Sequence, residues 1–163
     1  MSAVSVTKSD LIARVIVRLA ADLAQLTSAA LATHAEATDE ENKAEDKYDT
    51  RGLEASYLAH GQSKAAEEAA QALAQFQALT VRDFAVGEPI SLGALVVLEG
   101  KGRSHYLVGP RAGGTEIHAN GRTVMVITPQ SPLGRQLMGR KQGDTLALDL
   151  GGSRSGYRVA AVT

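Results

Sequence analysis

Between Glu36 and Glu54 the chain gathers Glu36, Asp39, Glu40, Glu41, Glu45, Asp46, Asp49 and Glu54 against Lys43, Lys47 and Arg51, a net charge of −5 within nineteen residues. Magnesium prefers carboxylate and water oxygens, and a carboxylate beside a metal ion can orient an attacking water. Acids fixed on a stiff support could therefore enter a narrow basic channel and act at a metal there. The same acids on a slack connection are only a solvated loop that keeps the molecule in solution. The support decides between the two.

No other chemistry is written so densely. His34, His60, His105 and His118 share no metal-ligand spacing, and their ordinary reading is surface or half-buried histidine. The chain has no cysteine, hence no disulfide, thiolate zinc site or cysteine nucleophile. No run fits the phosphate-binding G-x-x-x-x-G-K-[ST] pattern, and Gly151-Gly-Ser-Arg-Ser-Gly156 is neither that nor a nucleophile elbow but reads as a hairpin turn. A self-contained enzyme is disfavoured, since no nucleophile-base or metal-ligand constellation is visible.

The elements around the acids are helical. From Ser9 to about Ala37 there is no Gly or Pro, and Ile12, Ile16, Leu19, Leu23, Leu26 and Ala30 recur at alternating spacings of four and three, a heptad seam with Ser9 as its expected N-cap. A second seam runs through Leu58, Gln62, Ala65, Ala69, Ala72, Phe76 and Leu79. Two helices of similar length most simply fold back as an antiparallel coiled-coil hairpin, the small residues of the second allowing close approach to the first. Pairing Ile12 with Leu79 puts the fold-back near residues 45–46 and the tip at Thr38 to Gly52, with Asp39, Glu41, Asp46 and Asp49 as the acids best placed to project. Each arm would be roughly 40–45 Å long at about 1.5 Å per residue. Much of such a finger stands free of any partner domain built from the rest of the chain.

The pattern changes at Phe84 to Pro89, where Gly87 and Pro89 break the helix. The expected division is therefore a finger over 1–84 and a second domain over 85–163. Charge changes sign there too: residues 1–84 carry 8 basic and 13 acidic side chains, net −5, residues 85–163 carry 9 and 5, net +4, and the total is −1. Leu92 to Leu98, His105 to Gly109, Thr123 to Thr128, Thr145 to Leu150 and Tyr157 to Val162 read as strands, separated by turns that include Asn120-Gly121. One short helix interrupts them, capped by Ser131, with Pro132 in its first turn and Gly139 at its end. The second domain is expected to fold alone. The fold class is α+β. Nothing at the N-terminus resembles a signal peptide, and no stretch approaches the roughly 18 apolar residues of a membrane span, so a soluble protein is expected; the lack of cysteine favours the cytoplasm, and a monomer is expected.

The segment Thr123-Val-Met-Val-Ile-Thr-Pro-Gln-Ser-Pro-Leu-Gly-Arg-Gln-Leu-Met-Gly-Arg-Lys-Gln-Gly-Asp144 resembles the C-terminal signature of the Gre elongation factors: a strand, Ser-Pro-Leu-Gly or Ser-Pro-Leu-Ala, a short helix, Gly-Lys/Arg-Lys, then Gly-Asp. Leu92-Gly-Ala-Leu-Val-Val-Leu98 and His105-Tyr-Leu-Val-Gly109 are similar to that domain's first strands, so the resemblance covers about 88–163, with the helical pair supplying the family's other part. It implies an FKBP-like domain docked at the rim of the secondary channel of bacterial RNA polymerase, and a finger that reaches toward the active site. Arg135, Arg140 and Lys141 around the short helix, with Ser131 and Pro132 at its start, read either as a basic docking patch for the polymerase or as a solvated helix face. With so few aromatics, Tyr106 and Tyr157 read as strand packing rather than a prolyl-isomerase pocket.

The implied function is rescue of backtracked or paused complexes by stimulating the polymerase's own cleavage of the nascent RNA near its 3′ end. The factor would have no turnover and no cofactor of its own: the polymerase holds the magnesium, and tip acids help bind a second ion and orient water. At the tip the family pattern Asp-x-x-Glu-Asn-Ala-Glu-Tyr is met in two imperfect registers. Glu41-Asn42-Lys43-Ala44-Glu45 has one inserted residue and Asp39 two places ahead; Asp49 to Tyr57 keeps the leading Asp and trailing Tyr but puts Gly52 at the acid position. Two rivals follow, a secondary-channel regulator of the same shape without cleavage and a structural or adaptor coiled-coil protein.

Overall fold

The computed structural model describes residues 5–38, 51–150 and 152–163, with the backbone alone at 34, 36–38, 51–60 and 150. The elements are α1 (Lys8–Thr38), α2 (Arg51–Gln77), β1 (Leu95–Glu99), β2 (Arg103–Val108), β3 (Glu116–Ala119), β4 (Arg122–Ile127), α3 (Pro132–Leu137), β5 (Thr145–Leu150) and β6 (Ser153–Val162). This is the expected α+β class. Two compact units divide it, one formed by Met1–Val15 with Gln75–Thr163 and one by Ile16–Ala74.

The first unit is a six-stranded sheet in the order β3-β4-β2-β1-β6-β5, antiparallel except for the parallel pair of β2 and β4. Because side chains alternate along a strand, the registers sort them onto two faces. Val96, Leu98, Val108, Ile127, Leu148, Val159 and Val162 join Phe84, Ile90, Ala94 and Leu137 in one core, with Tyr106 and Tyr157 packed against it. The two tyrosines are thus strand packing residues, as expected. On the other face Leu107, Ile117, Val124 and Val126 are buried, and so are Leu11, Ile12, Val15 and Phe76 from the start of α1 and the end of α2. Phe76 closes directly on this face: a Cβ added at Gly109 would lie 2.6 Å from its Cζ and 3.0 Å from Val126 Cγ1. The cover of the second face therefore comes from residues outside 85–163, and a fragment starting at 85 would leave it bare.

Strands β1, β2, β4, β5 and β6 fall on the five expected segments, with β1 starting at Leu95 rather than Leu92. Strand β3 was not anticipated. It is four residues long and pairs Ala119 with Arg122 across Asn120 (φ 50°) and Gly121 (φ 71°), the left-handed pair that a two-residue hairpin loop needs. The turn expected at Gly151–Gly156 is tighter: Leu150 pairs with Ser153, and the rest belongs to β6.

Helix α1 starts one residue before the expected Ser9 cap, which lies inside the helix. The cap is Thr7: its Oγ1 accepts from Asp10 N at 3.1 Å while its own N–H donates to Asp10 Oδ2 at 2.9 Å, two backbone donors satisfied reciprocally. The Thr7 N–H and the Thr7 hydroxyl, which donates to Asp10 Oδ2 at 2.8 Å, hold the Asp10 carboxyl below its usual range. Contrary to the expectation of no such stretch, Lys8–Thr33 is long and apolar enough, at a mean hydropathy of 1.4, to cross a membrane by length and composition. Its first turns are core instead, with Val15 fully buried and Arg14 Nη1 donating to the His118 carbonyl of β3 at 3.0 Å.

In the second unit the seam is the shielded stripe of each helix. Leu19 and Ala30 are buried, Ile16, Leu23 and Leu26 half-buried, whereas Val17 and Leu31 off the seam are 69% and 64% exposed. On α2, Ala72 is buried, and Gln62, Ala65 and Ala69 are half-buried.

Candidate functional site

The four tip acids singled out in the sequence, Asp39, Glu41, Asp46 and Asp49, lie outside the described residues. In the chain they fall between the end of α1 at Thr38 and the start of α2 at Arg51. Among the described residues no group of three or more His, Asp or Glu side chains could hold a metal ion.

The expected docking residues do come together, around α3. Ser131 caps the helix: its Oγ accepts from Gly134 N at 3.1 Å and donates to the Thr128 carbonyl at 2.7 Å. Pro132 takes the first turn, where a missing N–H costs nothing, and Gly139 ends the segment at φ 82°. Gly134 is needed for contact, because a Cβ there would overlap the Thr128 carbonyl oxygen. The segment after α3 is pinned by Ile90, whose N–H donates to the Arg140 carbonyl at 2.8 Å and whose carbonyl accepts from Gly139 N at 3.0 Å. Lys141 N donates to Asp144 Oδ2 at 2.9 Å, so the Gly-Asp of the signature closes the turn. Arg135, Arg140 and Lys141 are exposed, and among the described residues none has an ion-pair partner. Three exposed cations without an ion-pair partner among the described residues therefore stand around α3. Replacing Ser131 by Ala should cost about 1 kcal/mol, the usual loss for a side-chain cap, measured as a lower urea midpoint with unchanged slope.

A second anchor fixes the start of α1 and was not legible in the sequence. Lys8 Nζ donates to the Arg82 carbonyl at 2.6 Å and the Gly93 carbonyl at 3.1 Å and sits 4.8 Å from the Phe84 ring centroid. Arg82 lies 4.0 Å from the same centroid and is ion-paired with Glu88. Burial lowers the Lys8 pKa, opposed by the charge of Asp83. Bonds over 74 and 85 residues of sequence join parts that no local pattern connects.

Beneath the first turns of α1 is a cavity of about 560 Å³, lined by Ser5, Val6, Leu11, Leu95, His105, Ala119, Asn120, Arg122 and Val124. His105 is held below its usual pKa by burial and by the nearby charges of Arg122 and Arg103. His118 is exposed, its Nδ1 2.9 Å from Thr123 Oγ1.

With this geometry the chain can be set beside known proteins. It is 31% identical over 121 residues to the transcription inhibitor protein Gfh1 of Thermus thermophilus, a match covering 72% of this chain and 73% of that one. The chain belongs to the Gre factor family. No family model matches it. Among solved structures, GreA factor homolog 1 of Thermus thermophilus aligns with a TM-score of 0.39 at 21% identity, over 94% of this chain and 93% of that one. The GreA/GreB elongation factor of Nitrosomonas europaea aligns at 0.36 and 18%, over 68% and 92%. Membership rests on the sequence match. In this chain the segment from Thr123 to Asp144 spans most of β4, the capped α3 and the turn that follows it.

Proposed function

We propose that this Gre-family chain is an accessory regulator of bacterial RNA polymerase that restrains transcription from the secondary channel. In this reading residues 85–163, their second sheet face covered by the start of α1 and the end of α2, form an FKBP-like domain that docks through Ser131, Pro132, Arg135, Arg140 and Lys141. Residues 1–84 form an antiparallel coiled-coil finger whose acids point toward the polymerase magnesium. The observation that carries it is the kinship with a protein named as a transcription inhibitor. The tip supports it: neither register of the family's acidic motif is intact, with Asp39 one place too close to Glu41 and Gly52 in an acid position. The shielded seam on both helices supports the coiled coil, since a heptad stripe is covered when two helices share it. The protein acts without turnover or cofactor of its own, in the cytoplasm and as a monomer.

Stimulated transcript cleavage is the second reading, favoured by the Glu41-Asn42 pair and the density of carboxylates around it. One assay separates them. A stalled bacterial elongation complex is incubated with and without the protein, and both RNA shortening and the rate of resumed synthesis are followed. Slower synthesis with no shortening is the expected result. Shortening of the 3′ end would replace it with the cleavage reading, and no effect together with no binding to polymerase would leave the adaptor reading.

A further inference from the structure

The cavity under the start of α1 serves neither the tip nor the α3 surface, and its lining is divided by chemistry. Val6, Leu11, Leu95 and Val124 make an apolar wall; Ser5, His105, Asn120 and Arg122 bring a hydroxyl, an imidazole, a carboxamide and a guanidinium to the same space, and among the described residues no carboxylate lines it. The sheet register explains the convergence. His105 pairs with Val124 across the parallel strands, and Arg122 is two residues earlier on β4, so all three share the face that α1 covers. Ala119 pairs with Arg122, which brings the hairpin loop at Asn120 to the same rim. Farther along this face Leu107 and Val126 are packed shut, while at this end the helix leaves open space instead of filling it.

About 560 Å³ falls within the size of pockets that enclose small organic ligands, most of which pair an apolar wall with a few placed polar groups. Arg122 forms no ion pair among the described residues, and Arg103, the other cation beside His105, is already engaged by Glu99. An uncompensated guanidinium beside a half-buried imidazole favours an anion, and a planar fork suits phosphate oxygens. We propose that this cavity binds a phosphate monoester with a compact apolar or aromatic body, its phosphate held by Arg122 and His105 and its body against Val6, Leu11, Leu95 and Val124. Because Ser5, Val6 and Leu11 line the cavity opposite the strand residues, a bound ester bridges the segment entering α1 to the sheet and ties the start of α1 down. The proposal is independent of any polymerase partner.

The test uses the full chain with the imidazole resonances of His105 as the marker, titrated with phenyl phosphate, adenosine 5′-monophosphate and inorganic phosphate. Saturable shifts with at least one ester are expected in the micromolar to millimolar range that ligands of this size reach. Arg122→Gln, which keeps the stem and removes the charge, should weaken binding at least about tenfold, the scale of losing a charge-assisted pair. Arg135→Gln on α3 should leave it unchanged. A preference for the adenosine ester would support a nucleotide as the natural ligand, and one for phenyl phosphate a smaller ester. Inorganic phosphate binding as tightly as both esters would overturn the role of the apolar wall. No saturable shift up to about 10 mM, well beyond the range of a specific site, would overturn the site itself, as would undiminished binding by a folded Arg122→Gln protein.

Discussion

Neutralising Asp39, Glu41, Asp46 and Asp49 together, as Asn or Gln, should abolish the protein's effect on a paused bacterial polymerase and leave its melting temperature unchanged or slightly raised. The seams that need burial lie elsewhere, on Ile12 to Ala30 and Ala65 to Phe76, so removing four charges opens no cavity. The nineteen-residue window carries net −5, and relieving like-charge contacts contributes tenths of a kcal/mol per pair. Function responds differently. Amides are poor magnesium ligands, and loss of electrostatic stabilisation at a reacting centre costs about two to three orders of magnitude in rate. An inhibitory tip acting through charge at the same metal loses its hold for the same reason, so the variant tests the acids under either reading of their effect. Pause escape and RNA shortening would be followed at several magnesium concentrations, with polymerase binding measured in parallel. A quadruple variant that binds and acts like its parent would reduce the acidic window to a solubilising loop.

Much of the scaffold was legible because it is written in local periods. The heptad spacing of Ile12 to Ala30 located α1, and Ser131-Pro132 with Gly139 located α3 almost to the residue, because a cap, a proline and a left-handed glycine each act within one turn. Strand β3 escaped because Glu116–Ala119 gives only two turns of alternation, Ile117 and Ala119 in and Glu116 and His118 out. The Asn120-Gly121 pair marks the turn that joins it to β4 but not how far the strand before it extends. The Thr7–Asp10 cap was hidden by Ser9, an equally good cap residue two places on, and only the bonds made separate them. The long-range anchors were out of reach. Nothing near Lys8 in sequence tells that its ammonium will find the Gly93 carbonyl, and nothing near His105 and Arg122 tells that a parallel pair of strands will set them beside one cavity.

Such long-range closure is strongest at Phe76, and its truncation to Ala should be the largest single-site stability loss in the described part of the chain. The ring is 1% exposed and stands where α2 ends against the sheet. Burying so large a side chain and then deleting it removes the transfer free energy and leaves a void, together about 3–5 kcal/mol. For a domain of this size that is a large share of total stability. Gly109 provides the internal check. In the parent a methyl group there would meet Phe76 Cζ at 2.6 Å and Val126 Cγ1 at 3.0 Å, so Gly109→Ala should destabilise through overpacking by about 1–3 kcal/mol. In the Phe76→Ala background the ring is gone and the same methyl group enters the void it left. The two substitutions should therefore couple, the double variant being more stable than the sum of the singles requires by at least about 1 kcal/mol. Urea unfolding of the four proteins measures this directly, and an additive cycle would mean that Phe76 does not close on this face of the sheet.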